Sequence, residues 1–226
     1  MAKKVKKKIR IRILPIIIII FILTLLSGSV YLLSLIPIKN IYISGNNYLK
    51  DQEIIELAKI ENYPSFLKTR TKDIKKNIKK SPYVKSVTIK KKILGIVEIQ
   101  IEEYNILFRK EENNKIVLED KEELIDNEKY QVPILLNYIP DTKYDSFIKG
   151  MNQVTPSIKN QISEIRYYPN TQDEDRFLLY MNDGNYVYLT LTKFKQINYY
   201  EDVLEKLDGK KGILYLDSGN HFKIME

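Results

Sequence analysis

Hydrophobic residues run without a charged interruption from Ile13 to Ile36, and beyond that they recur in short bursts whose period changes along the chain. The uninterrupted run holds 24 residues, and a helix of about 20 apolar residues crosses the roughly 30 Å core of a bilayer. A membrane-spanning helix over residues 13–36 is therefore predicted. Ile38, Ile41 and Ile43 open a short strand that ends in the turn cluster Ser44-Gly45-Asn46-Asn47. Ile54, Ile55, Leu57 and Ala58 follow, largely on one helical face, behind Asp51, whose carboxylate is placed to cap the helix start. A second helix begins near Thr71, with Ile74 and Ile78 four apart. It must end before Pro82, because proline drives the residue before it out of the helical region. Val84, Val87 and Ile89 predict a strand and Lys90-Lys91-Lys92 a basic turn. Val97, Ile99 and Ile101 then alternate with Glu98, Gln100 and Glu102, as a half-buried strand requires. Strand, helix, helix, strand, strand suits two helices laid on one face of a three-stranded sheet, leaving the other face and a strand edge open.

Residues 104–226 read as short β-prone runs between polar turns. Ile116-Val117-Leu118 leads into the acidic stretch Glu119–Glu123, expected as a solvated loop or helix start, and Gln131–Leu135 is an apolar segment around Pro133. A helix is expected from Tyr144 to about Val154, and a strand from Ile162. Phe177–Met181 and Tyr186–Leu191 flank Asn182-Asp183-Gly184-Asn185, the pattern of a hairpin whose glycine supplies the positive φ of the turn. A helix from about Phe194 carries Ile197, Tyr200, Leu204 and Leu207 on one face and ends at Gly209. Gly212–Asp217 is a strand, Ser218-Gly219-Asn220 a turn, and His221–Ile224 the last strand.

Charge sets the expected topology. Lys3, Lys4, Lys6, Lys7, Lys8, Arg10 and Arg12 precede the apolar run with no acidic residue among them, which fixes that end in the cytoplasm and sends the remainder outside. The small residues Ser27-Gly28-Ser29 also fit a cleaved secretory signal. The apolar character continues through Val30–Ile36, however, which favours a retained anchor. Residues 37–103 hold 14 basic and 8 acidic side chains, whereas residues 104–226 hold 16 and 21. The change of sign marks a domain boundary near 103, giving a basic tail 1–12, an anchor 13–36 and modules 37–103 and 104–226. The overall charge of +8 raises the question of nucleic acid. The tail lies against an anionic leaflet, and the lysines of 68–92 have no aromatic stacking platform among them. A solvated basic face accounts for them, and no nucleic-acid partner is expected.

Several of these residues carry a resemblance. Ile41-Tyr42-Ile43-Ser44-Gly45-Asn46, Ile54, Ser81-Pro82-Tyr83-Val84 and Ile99-Gln100-Ile101-Glu102-Glu103 are similar to the waypoints of a POTRA domain placed directly after one membrane anchor. A short basic tail, one anchor, one POTRA domain and a β-rich domain resembles the layout of the bacterial cell-division family FtsQ/DivIB. The terminal hairpin, helix and strand pair resemble the end of that family's β domain. Lys92-Ile93-Leu94-Gly95 departs from it, standing where the family often has a proline, so a different turn is expected there. The chain stops two residues after Ile224, so the extended C-terminal tail of some relatives is expected to be missing. The implied fold class is α+β, a transmembrane helix followed by a β-α-α-β-β POTRA-type domain and a mixed β-rich domain. The implied function is a noncatalytic scaffold of the division machinery at the septum of the cell membrane, with partners of the FtsL and FtsB/DivIC type. Strand addition at the C-terminal edge is the expected mode of capture, with Tyr215, Ser218, Phe222 and Ile224 as partner-binding residues carried over by position. A POTRA-bearing chaperone or secretion component that binds extended polypeptides is the alternative, and a tethered envelope enzyme a third reading.

Catalytic chemistry has few parts to work with. There is no cysteine and one histidine, His221, so thiol chemistry, His-based triads and multi-His metal centres lack their residues. Glu102 and Glu103 are adjacent in a strand and point to opposite faces, so they cannot act as a pair. Asp173, Glu174 and Asp175 lack the glycine and distal glutamate of an EF-hand and read as a flexible acidic loop. His221 reads as a surface strand residue. No phosphate loop or nucleophile elbow appears in the sequence, and no cofactor, metal or small-molecule substrate is expected. The 17 tyrosines suit small β cores and interfaces alike.

Overall fold

The computed structural model describes residues 13–127, 130–207 and 209–225; the basic segment 1–12, expected as a cytoplasmic tail, lies outside the described residues. The chain divides into two compact units, Met1–Glu103 and Tyr104–Glu226, and the architecture is α+β.

The first unit opens with α1 (Ile13–Ser34), whose 22 residues span about 33 Å at the helical rise. It is long and apolar enough to cross a membrane, and Ser34 is its one buried residue. β1 (Asn40–Ser44), α2 (Asp51–Ala58), α3 (Thr71–Ile78), β2 (Val84–Lys92) and β3 (Ile96–Glu103) follow. The sheet order is β1-β3-β2, with β3 parallel to β1 and antiparallel to β2. Val97, Ile99 and Ile101 of β3 are buried with Ile54 and Ala58 of α2 and Ile74 and Ile78 of α3. The alternation that predicted a half-buried strand is therefore the alternation that makes this core.

Local contacts correct two expectations here. Asp51 is the first helical residue of α2, not its cap; Lys50 holds the extended cap position, and its N–H donates to Glu53 Oε2 at 2.8 Å. A glutamate three residues into a helix reaches back to this N–H more readily than the Asp51 carboxylate can turn onto its own helix end; Asp51 accepts from Asn46 Nδ2 at 2.9 Å instead. Lys90–Lys92 is strand rather than turn: all three residues pair in register with β3, and the side chains of Lys91 and Lys92 find partners. Lys91 Nζ donates to the carbonyls of Phe66 and, at 2.9 Å, Thr69, and lies 4.3 Å over the Phe66 ring. Desolvation in this position lowers the Lys91 pKa. Lys92 pairs with Glu98 at 2.5 Å, and the turn falls at Ile93–Gly95.

Glu102 and Glu103 part company as strand geometry demands. Glu102 is exposed and meets Ser86 Oγ at 3.0 Å and Lys85 at 3.3 Å. Glu103 is buried, and its carboxylate accepts three backbone N–H groups, from Asn47 and Tyr48 at 2.7 Å each and Leu49 at 3.0 Å. The turn between β1 and α2 has no ladder of its own, so this side chain closes its backbone hydrogen bonds.

The second unit contains β4 (Ile106–Lys110), β5 (Lys115–Leu118), β6 (Glu123–Ile125), β7 (Ile134–Leu135), α4 (Asp141–Asn152), α5 (Pro156–Lys159), β8 (Ile162–Tyr167), β9 (Arg176–Met181), β10 (Tyr186–Thr190), α6 (Tyr200–Leu204), β11 (Gly212–Tyr215) and β12 (His221–Ile224). Among the described residues these strands form one sheet in the order β12-β11-β10-β9-β8-β7-β4-β5-β6. Its core centres on Phe147, whose ring lies 5.2 Å from Phe108, 5.0 Å from Phe177 and 5.6 Å from Phe194. Gly150 admits the Phe194 ring, since a Cβ there would stand 2.8 Å from it.

Four expectations change in this unit. The acidic stretch is neither wholly loop nor helix start, because Glu123 opens β6 and is held by Lys110 and Lys115. The helix expected at Tyr144 begins at Asp141, where the Pro140 carbonyl accepts from Lys143 and Tyr144 N–H, and ends at Asn152. The helix expected from Phe194 is a 3-10 segment, Leu191–Tyr199, with only Tyr200–Leu204 α-helical. Phe194, Ile197 and Tyr200, all buried, are spaced by three, which a three-residue turn stacks on one face. Asp173–Asp175 is an ordered turn: Asp173 Oδ1 accepts from Asp175 N–H at 2.8 Å and Thr190 Oγ1 at 3.3 Å, and Asp175 pairs with Lys143.

One buried polar node joins β10 to β11. Asn185 is 1% exposed. Its Nδ2 donates to Asp183 Oδ2 and Tyr200 Oη, both at 2.9 Å. Its Oδ1 accepts from Gly212 N–H at 2.8 Å, and Tyr200 O–H donates in turn to Asp183. Burial, with Asp183 as partner, pushes the Tyr200 phenol well above its ordinary pKa.

Two substitutions test these polar fastenings. Glu103→Ala strands three N–H groups, and amide exchange at Asn47–Leu49 should report a local loss of about 2–4 kcal/mol, while Glu103→Asp, too short to reach all three, loses less. Asn185→Ala leaves the Gly212 N–H buried without a partner. It should lower protection of β11 and β12 by about 1–3 kcal/mol and spare β4–β6; unchanged exchange at β11 would rule out the node as the fastening.

Candidate functional site: the open C-terminal edge

β12 is the last strand of the nine-stranded sheet, antiparallel to β11, with Leu214 opposite Phe222 and Tyr215 opposite His221. The Met225 N–H donates to the Lys211 carbonyl at 2.9 Å. Hydrogen-bonded pairs alternate along an antiparallel ladder, so Lys223 and His221 face Ile213 and Tyr215 with their backbone groups. The N–H and C=O groups of Phe222 and Ile224 consequently point outward, away from the sheet. The N–H of Gly212 points the other way, toward Asn185, as that alternation requires.

Side-chain packing holds this edge in register. Phe222 is half-buried and packs against the core. Gly212 makes room for it, since a Cβ there would lie 2.5 Å from the Phe222 ring and 2.2 Å from the Lys223 carbonyl oxygen. On the opposite face His221 stacks on Tyr215 at 4.8 Å, and Tyr215 on Tyr188 at 5.4 Å. The Arg176 guanidinium lies 3.6 Å from the Tyr188 ring, and its Nε donates to Asp217 at 2.7 Å. An aromatic ladder capped by a cation thus runs from β9 to the edge, and Asp217 ties it to the turn that leads into β12.

The four residues expected to bind a partner are distributed over this region and do not share one face. Phe222 and Ile224 lie on the core side of β12, and Ile224 is 47% exposed. Tyr215 is one strand inward and on the other face, between Tyr188 and His221. Ser218 is exposed in the turn, its Oγ donating to Asp217 at 3.0 Å. The period of two along a strand and the Leu214–Phe222 register separate Tyr215 from Phe222. Asn185, Gly212 and Arg176 position the edge without standing out in the sequence: Asn185 reads as one more turn residue, Gly212 as a strand start, and Arg176 belongs to no motif there. Among the described residues no three acidic or histidine side chains converge as a metal site.

Comparison with known proteins follows the same division of the chain. Residues 36–104 match the POTRA domain, FtsQ-type, and residues 108–218 match the C-terminal domain of cell division protein FtsQ/DivIB, a match that ends just before β12. Cell division protein DivIB of Bacillus cytotoxicus is 30% identical over 99% of this chain and 90% of its own length. DivIB of Bacillus subtilis is 31% identical over 96% and 85%. A solved structure, the major extracytoplasmic domain of the trans isomer of DivIB from Geobacillus stearothermophilus, shares 23% identity across 47% of this chain and 96% of that one, with a TM-score of 0.39. The chain belongs to the FtsQ/DivIB family of bacterial cell-division proteins.

Proposed function

We propose that this protein is a noncatalytic scaffold of the division machinery that captures bitopic partners by strand addition at β12. The outward N–H and C=O groups of Phe222 and Ile224 carry this reading, because they form an unsatisfied ladder on a strand whose register is already fixed. Backbone pairing supplies affinity there, and the side chains of β12 and its turn supply selectivity. In this scheme residues 1–12 are cytoplasmic, α1 is a retained single-pass anchor, and modules 37–103 and 104–226 are extracytoplasmic at the septum. The basic flank of the apolar run supports that orientation. Membership of a cell-division family supports partners of the FtsL and FtsB/DivIC type, small bitopic proteins of the same machinery.

Proline substitution separates the two sides of the edge. Ile224→Pro removes an outward donor at an exposed position and leaves the bonds to β11 in place. It should weaken recovery of the bitopic division proteins from membranes about tenfold or more, with β11 amide protection unchanged. Phe222→Pro should abolish capture too, with some added loss of stability from the missing ring. Undiminished recovery by a folded Ile224→Pro chain would move the contact away from this edge.

A further inference from the structure

Two loops of the first unit are bound to the end of α1 and the residues that follow it. The Ser65 hydroxyl donates to the Ser34 carbonyl at 2.5 Å, and the Phe66 N–H to the Ile36 carbonyl at 2.8 Å. Ile38 N–H returns a bond to the Pro64 carbonyl at 2.9 Å, and Lys39 N–H donates to the Gly95 carbonyl at 2.8 Å. Gly95 has φ +83°, and a Cβ on it would stand 2.9 Å from the Pro37 carbonyl oxygen, so the turn Ile93–Gly95 lies against the helix exit. Lys91 fastens the 66–69 segment to the same end of β2.

These loops carry apolar tips that the unit does not bury. Ile93 is 83% exposed, Leu67 50% and Tyr63 51%. A single exposed aliphatic side chain is ordinary. Here two sit with a tyrosine on loops bonded to the last residue of a bilayer-length helix and to three of the residues that leave it. Chain geometry keeps the Leu67 backbone within roughly 10 Å of Ile36, and the headgroup zone adds about 6 Å to each side of the hydrocarbon core. Lys39 and Lys68 are exposed at the same end, and tyrosine is favoured at the membrane–water boundary.

We infer that the membrane-facing end of the first unit is a lipid-binding surface, with Leu67 and Ile93 entering the leaflet and Lys39 and Lys68 meeting anionic headgroups. The surface orients the unit on the bilayer, and it rests on α1 being a retained anchor. Aliphatic tips supply apolar burial and the lysines supply charge complementarity, the pairing that holds interfacial segments on anionic membranes.

The sequence has no cysteine, so single substitutions accept a nitroxide label at one place in the full chain. Leu67→Cys and Ile93→Cys test the surface. Leu23→Cys in α1 marks the bilayer interior, and Lys80→Cys marks water, near the start of β2 and so about 30 Å from its turn. Each is reconstituted at one chain per nanodisc in phosphatidylcholine with phosphatidylglycerol, which excludes shielding by a second copy or a protein partner. Labels at 67 and 93 should favour collision with oxygen over a water-soluble nickel chelate, and the label at 80 the reverse. Aqueous readings at both 67 and 93, with 23 in the bilayer, overturn the inference and leave the anchor standing; an aqueous reading at 23 overturns both. Lys39→Gln and Lys68→Gln should each lower the ratio of immersed to free label about fivefold in the anionic bilayer, and no change there would remove the lysines from the surface.

Discussion

The second unit depends on a buried amide. β10 and β11 are parallel, so no tight turn can join them, and the chain must travel through the 3-10 segment and α6 before it returns. Asn185 closes that circuit by gripping Asp183 and Tyr200 with its Nδ2 and the Gly212 N–H with its Oδ1. Every group in the node has a partner in a low-dielectric site, where an unpaired one would be costly. β12 hangs on β11 alone, so the edge exists in its observed register because this node and the Gly212–Phe222 contact place β11.

Glu103 solves the corresponding problem in the first unit. A turn of three successive residues presents its N–H groups inward, and one carboxylate from the end of β3 accepts all three. Charge-assisted bonds of this kind tie an irregular segment to a regular strand. The same division of labour recurs at Lys91, which holds the 66–69 carbonyls to β2. In each case a charged side chain replaces a missing backbone ladder.

The proposed capture uses what these fastenings leave open. β12 is paired on one side, packed by Phe222 on one face and covered by the His221–Tyr215–Tyr188 stack on the other, so its register is set within the unit itself. Preorganisation of that sort reduces the ordering that capture must otherwise impose on the receiving strand. The incoming segment would then bear most of the loss of conformational freedom.

Much of this fold was legible in the residues. The uncharged run at 13–36, the alternation at 97–102 and the Asp-Gly hairpin are local patterns, and each states its own secondary structure because period and turn chemistry are properties of adjacent residues. The boundaries that moved show where local reasoning stops. Phe194, Ile197 and Tyr200 fit an α-helical face as well as a 3-10 one, and only packing chose between them. Lys90–Lys92 reads as a turn until Phe66 and Thr69, distant in sequence, supply partners for Lys91, and Glu98, across the hairpin, one for Lys92. Sequence alone determined which segments are apolar, where the alternating strand and the Asp-Gly hairpin fall, and that one stretch can span a bilayer, while β4, β6 and the end of β2 were not legible in it. Tertiary structure alone decided that Asn185 meets Gly212, that Glu103 faces inward, and that Phe222 and Tyr215 lie on opposite faces, because register and burial are set by contacts between segments that the order of residues does not specify.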